Sequence, residues 1–168
     1  GYAVSGWNRT RSKAEPLIDA GMAWADSPRE LAASTDAVIT MMTSTEAIQA
    51  AAEGPDGILA GLQAGAIWAD ASTIAPYTSM AIANTVAAAG ARFLDCPVSG
   101  SPATLAAGAL SIMVGGDREA FDRIEPMLRA IGPKVTYIGP NGHAILTKVA
   151  INLALVASVT AFAEGIAL

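Results

Sequence analysis

The chain has 168 residues, enough for one domain with a full core. Apolar residues make up 52% and charged residues only 15%, below the ~25% usual for globular chains, so part of the surface is expected to be covered by a partner domain or subunit. The net charge of −5 argues against a general nucleic-acid surface; the one cysteine, Cys96, excludes an internal disulfide, and the one histidine, His143, argues against a His-built metal site.

Taken in order, Tyr2–Asn8 alternates and carries β-formers, which predicts a strand. Ser12 with Glu15 reads as a capping box, with Pro16 in the first turn and Gly21 closing the helix. Met22–Asp26 is a short strand. Ser27-Pro28-Arg29-Glu30 repeats the cap, proline and acid, and a brief helix runs to Ser34. Asp36–Met42 is a run expected of a buried parallel strand. Thr43–Glu46 caps a helix to about Ala52, and Gly54–Leu62 holds a loop and a helical turn. Ala66–Asp70 is another buried strand, and Pro76 opens a long helix ending at Gly90. Arg92–Val98 is a strand, Ala103–Ala107 a short helix and Leu110–Val114 a strand closed by Gly115-Gly116. Asp117 caps a helix to Ile131, Val135–Ile138 is a last strand, and Gly139–Gly142 is a turn. Strands and helices alternate, which predicts a doubly wound α/β fold, Rossmann-like, with a mostly parallel sheet and helices on both faces.

Gly142–Leu168 contains no proline and one internal glycine, Gly165, so it can run as one long helix. It is apolar on nearly every face, the pattern of a buried helix. Its apolar run, Val149–Ala163, is only 15 residues and contains Asn152, Ser158 and Thr160. A membrane span needs ~20, so no membrane role is expected. Gly1–Asn8 has no basic region or long apolar core of a secretory leader, and a cytoplasmic protein is the expectation. Lys148 and Asn152 lie four apart, on one face of the helix. A buried ammonium is costly unless it is paired or used; the alternative is a lysine whose stem packs while its head reaches water.

In a doubly wound sheet, ligands bind past the carboxyl ends of the strands. The segments to inspect are therefore Asn8-Arg9-Thr10, Met42-Thr43, Asp70–Thr73 and Asp95–Ser101. Asn8, Arg9, Thr10 and Lys13 offer donors where a dinucleotide fold meets the adenosine ribose. An acid there suits the 2′-hydroxyl of NAD, whereas these donors suit a 2′-phosphate. The alternative is an ordinary basic helix start. Ser99-Gly100 ends a strand in a turn whose N–H groups can cradle a carboxylate, or is a plain turn. Cys96 reads as a small core residue and His143 as a surface residue.

The segments WNRTRSK, ITMMTS, DAST-x-x-P, FLDCPVSGS, GALSIMVGGD and GPNG-x5-K-x-x-x-N together resemble the β-hydroxyacid dehydrogenases, the group that contains 3-hydroxyisobutyrate dehydrogenase and tartronate semialdehyde reductase. The resemblance spans essentially the whole chain. It implies a catalytic Lys148 with Asn152, and a carboxylate-holding turn at Ser99, Gly100 and Ser101. It implies cofactor contacts at Asn8, Arg9, Thr10, Met42, Thr43 and Thr73. The donors at Asn8, Arg9, Thr10 and Lys13 point to NADP rather than NAD as the cofactor, and the resemblance implies a small carboxylic acid as substrate and a homodimer. By the same resemblance, residues 1–141 are an NADP-binding domain lacking its first strand and Gly-rich loop. Residues 142–168 begin a long helix leading to an all-helical domain. Three positions depart from the family pattern: Gly100-Ser101 stands for Gly-Gly, Ile151-Asn152 for Asn-Asn, and Ala144 for Gly. The implied reaction is reversible hydride transfer on a small 2- or 3-hydroxy acid or its semialdehyde. A reductase of imines or other aldehydes, and a non-catalytic NADP-binding module, are the rival readings.

Overall fold

A computed structural model describes Gly1–Leu168. Its elements alternate as the sequence predicts. They are β1 (Ser5–Gly6), a 3₁₀ turn (Arg11–Lys13), α1 (Glu15–Asp19), β2 (Ala23–Trp24), α2 (Pro28–Ala33), β3 (Ala37–Thr40), α3 (Thr45–Ala52), α4 (Ile58–Gly61) and β4 (Ile67–Asp70). There follow α5 (Pro76–Ala88), β5 (Arg92–Asp95), β6 (Val98–Ser99), α6 (Pro102–Ala106), β7 (Ser111–Gly116), α7 (Arg118–Ile131), β8 (Lys134–Gly139) and α8 (His143–Ala167).

The main sheet has six strands. β3, β4 and β5 are parallel neighbours; β7 runs antiparallel to β5, and β8 is parallel to β7. The expectation of a mostly parallel sheet holds, with one reversal. The reversal follows from the connection: between β5 and β7 the only helix is α6, five residues long. At ~1.5 Å per residue it cannot carry the chain back to the start of the sheet, as a parallel crossover requires. β1 and β2 pair with each other, parallel, as a separate two-stranded sheet.

Both faces of the main sheet are covered. In β4, Trp68 points into one core with Val38, Ile48, Val86 and Phe93, while Ile67 and Ala69 point into the other with Leu94, Val114, Phe121 and Leu128. This period-two division explains why β4 reads as a continuous apolar run. Trp68 and Phe93 are register partners and meet edge to face, with ring centroids 5.4 Å apart.

Local expectations fare unevenly. Ser27, Ser44 and Asp117 cap α2, α3 and α7 through bonds from Glu30 N, Ala47 N and Ala120 N. Ser12 does not cap: it lies in the 3₁₀ turn, and α1 starts after Ala14. The carbonyl of an N-cap at Ser12 would need the N–H of residue 16, and Pro16 has none. Asp36–Met42 is not buried throughout, since Ile39 is 38% and Met41 66% exposed. β3 is the edge strand of its sheet.

Candidate functional site

The carboxyl ends of the parallel strands form one row. Thr40 pairs with Asp70, and Asp70 pairs with Asp95. All three are buried. The segments that leave this row are Met41–Thr43, Ala71–Thr73 and Cys96–Ser99, so Met42, Thr43, Thr73 and Ser99 share one edge of the sheet, as expected.

Asp70 ties two of these exits together. Its Oδ1 accepts from Thr40 Oγ1 (2.7 Å), Ser72 Oγ (2.6 Å) and Ser72 N (3.2 Å). Thr40 Oγ1 accepts from Trp68 Nε1 at 2.9 Å, and Ser72 Oγ accepts from Met42 N at 2.8 Å. Burial pushes the Asp70 carboxyl above its ordinary value of 3.8; the bonds from Ser72 and Thr40 oppose the rise, and the Asp95 carboxylate adds to it. The network fixes Met42 and leaves Thr43 and Thr73 exposed above it.

The residues that follow β1 are placed differently. Asn8 is half-buried and donates from Nδ2 to the Thr10 carbonyl (3.0 Å), while Arg9, Thr10 and Lys13 are exposed. Arg11 is engaged elsewhere, stacked 5.0 Å over Trp24 and 3.8 Å from Asp26. Arg9 and Lys13 enter no ion pair. That leaves two cations and a hydroxyl, with no acid among them, a donor set chemically fitted to a phosphate. No strand hydrogen-bonds β1 to β3, so no sheet register links this cluster to Met42 and Thr43.

At the next exit, β5 and β6 are two halves of one line along β7. Asp95 faces Gly115, Val98 faces Ile112 and Ser99 faces Ser111 in a single antiparallel register. The interruption at Cys96-Pro97 keeps the line, because the Pro97 carbonyl still accepts from Met113 N at 3.0 Å. Gly100 then has φ +146°, and a Cβ there would lie 2.5 Å from Leu110 Cδ2, so only glycine fits this turn. Ser99 is half-buried beside it. The Ser101 hydroxyl is already used: it caps α6, accepting from Thr104 N at 3.2 Å. Cys96 is 1% exposed, and burial pushes its thiol well above its ordinary 9.0, with Asp95 and Asp70 adding to the rise. That fits the reading of Cys96 as a core residue.

α8 packs against β7 and β8 and touches β5 and α5. Lys148 and Asn152 are both half-buried, on the face they share, and Lys148 pairs with no carboxylate. The rest of the helix is not buried, contrary to what its all-round apolar composition suggests. Only Ala144 and Ile145 are, while Leu153 is 70% and Phe162 71% exposed. By length and composition His143–Ala167 could also cross a membrane, with a mean hydropathy of 1.9.

Asp70, Ser72 and Asp95 lie within the segments the sequence marks for inspection, but sequence reasoning assigned no role to them or to Asn141. A signal was present, since Asp70 and Asp95 are the only acids in two strands whose other residues, Arg92 apart, are buried and apolar. A concavity of about 550 Å³ opens at the opposite edge of the sheet, between Ser34–Asp36 and Gln63–Ala66. It contains none of the candidate residues and does not compete with the carboxyl edge as the site.

Residues 1–139 match the family model described as the NAD binding domain of 6-phosphogluconate dehydrogenase. The chain is 34% identical to an NAD-dependent L-serine dehydrogenase of Pseudomonas aeruginosa, over 100% of its own length and 56% of that protein. The 3-hydroxyisobutyrate dehydrogenase of Mycobacterium tuberculosis with L-serine superposes with a TM-score of 0.91 at 30% identity, over 98% of this chain and 56% of that one. Psf3 in complex with NADP+ and 2-OPP gives 0.89 at 34% identity, over 99% and 60%. The chain thus spans about half the length of the curated relatives it matches.

Proposed function

We propose, from the premise that this chain belongs to the family of the NAD binding domain of 6-phosphogluconate dehydrogenase, that it supplies the cofactor-binding half and the lysine of an NADP-dependent dehydrogenase of small 3-hydroxy carboxylic acids. The observation that carries this reading is Lys148. It is half-buried without a carboxylate partner, shares a helix face with Asn152, and belongs to a helix packed on the strand that faces Ser99.

A bound nicotinamide would exchange hydride with the carbon that bears the hydroxyl. The roles of the chain's own residues follow from their chemistry. Ser99 and the Gly100 N–H hold the substrate carboxylate, which orients the hydroxyl. The Lys148 amine accepts the hydroxyl proton in oxidation and returns it in reduction. Asn152 holds the lysine head and the substrate without changing charge. Arg9, Thr10 and Lys13 supply donors to a 2′-phosphate, which supports NADP over NAD, while Met42, Thr43 and Thr73 line the cofactor's path. L-Serine and 3-hydroxyisobutyrate, after which two of the similar proteins are named, are both 3-hydroxy acids, which supports that class. The exposed apolar residues Leu153, Val156 and Phe162 support a covering helical domain and a second subunit.

The test is a turnover panel on the whole protein: L-serine, 3-hydroxyisobutyrate, glycerate and a cyclic imine, each with the phosphorylated and the unphosphorylated nicotinamide. Turnover of a 3-hydroxy acid with NADP is expected. Turnover of the imine alone would overturn the proposal.

A further inference from the structure

We propose that Asp95 is a positioning residue which, through the first turn of α8, sets Lys148 against the Ser99–Gly100 turn; this rests on the lysine reading above. α8 has no cap of its own. Its N-cap is Gly142, held at φ +89°, and no side chain of the turn caps the helix. The cap comes instead from a strand 47 residues earlier in the chain: Asp95 Oδ1 accepts from Gly142 N at 3.0 Å, and Oδ2 accepts from Ile145 N at 2.9 Å. A carboxylate at this helix end meets two unsatisfied N–H groups and the positive end of the dipole.

The neighbours are shaped around this contact. Asn141 Nδ2 donates to the Phe93 carbonyl (2.8 Å) and to Asp95 Oδ1 (3.4 Å). A Cβ on Gly115 would lie 2.7 Å from both Asp95 oxygens, and one on Gly116 would lie 3.0 Å from Asn141 Nδ2. The Asp of LDCPVSG, the paired glycines of MVGGD and the Asn-Gly of GPNG therefore build one buried latch. Its two ends are the two halves of the proposed site. Asp95 continues in unbroken register to Ser99, and Ile145 lies within one helical turn of Lys148.

The test is a double-mutant cycle in the whole protein. Asp95→Asn keeps the size but removes one acceptor oxygen and the charge. It should lower kcat by about 10²-fold, the scale of an ångström's misplacement, with cofactor affinity held within about twofold as the check on folding. In a Lys148→Ala background the same change should move the residual turnover by less than about twofold, because its route to the reaction is gone. Where Asp95→Asn does not fold, Asn141→Ala is put through the same cycle. It leaves both backbone bonds to Asp95, and its expected loss is roughly 10-fold. Equal losses with and without Lys148 would make the latch mere scaffold and overturn the proposal. An unchanged kcat in Asp95→Asn, where Lys148→Ala is inactive, overturns it alone. Wild-type turnover in Lys148→Ala overturns the lysine reading and takes this proposal with it.

Discussion

Gly115→Ala tests the buried cradle of Asp95 while leaving every polar group in place. The added methyl would lie 2.7 Å from both carboxylate oxygens and 3.0 Å from Asp95 Cγ, at least half an ångström inside ordinary contact. Gly115 is not among the positive-φ glycines, so backbone strain contributes nothing. The carboxylate cannot retreat without lengthening its bonds from Gly142 N (3.0 Å) or Ile145 N (2.9 Å). Hydrogen bonds to a charged group contribute about 1.5–3 kcal/mol each. Loss of one and strain in the other give an expected destabilisation of ~2–4 kcal/mol. At roughly 2–4 °C per kcal/mol, the melting temperature falls by about 4–16 °C. The assay is urea unfolding followed by tryptophan fluorescence, read as a shift in midpoint at constant slope. Gly165→Ala is the control. It meets no atom within 4 Å, and a helical Gly→Ala change stabilises by up to ~1 kcal/mol. A loss below ~0.5 kcal/mol in Gly115→Ala would refute the view that Asp95 is held rigidly there.

Cys96 should resist alkylation at neutral pH in the native protein and react at once in denaturant, being 1% exposed with its thiol pushed up; fast native labelling would contradict its core placement. Asp70 has its carboxyl raised above 3.8, so between that value and the raised one the native state binds more protons than the unfolded chain, and the Asp70 contribution to stability grows as pH falls through that window. Urea midpoints of wild type relative to Asp70→Asn should therefore rise from neutral pH toward pH ~4, and a pH-independent difference would count against it. Arg9→Ala should weaken NADPH binding by about 10–100-fold while barely touching NADH, the worth of one charged hydrogen bond; titration calorimetry showing equal losses for both would remove Arg9 from the phosphate site.

The order of elements was legible because each signal is local. Ser27, Ser44 and Asp117 cap where they stand, Pro76 opens α5, and β4 reads as a buried strand because both its faces are covered. The edge that carries Met42, Thr43, Thr73 and Ser99 followed from the fold rule alone. The cap that failed had a competing constraint, since Pro16 withholds the N–H that a helix capped by Ser12 would need. The latch was not legible in advance. The reason for two glycines after Val114 lies in contacts that only the fold brings together: Asp95 against Gly115, and Leu94, the Phe93 carbonyl and Asn141 against Gly116. The apolar face of α8 was legible as a surface in need of cover, yet within residues 1–168 only Ala144 and Ile145 are buried.

The most direct measurement is turnover of Lys148→Ala in the whole protein, with NADPH affinity measured alongside. Loss of a positioned proton-transfer group should lower kcat by about 10²–10⁴-fold. NADPH affinity should stay within about twofold, because the proposed phosphate donors, Arg9 and Lys13, are unchanged. Turnover close to wild type would contradict the assignment of Lys148 as the residue that moves the proton.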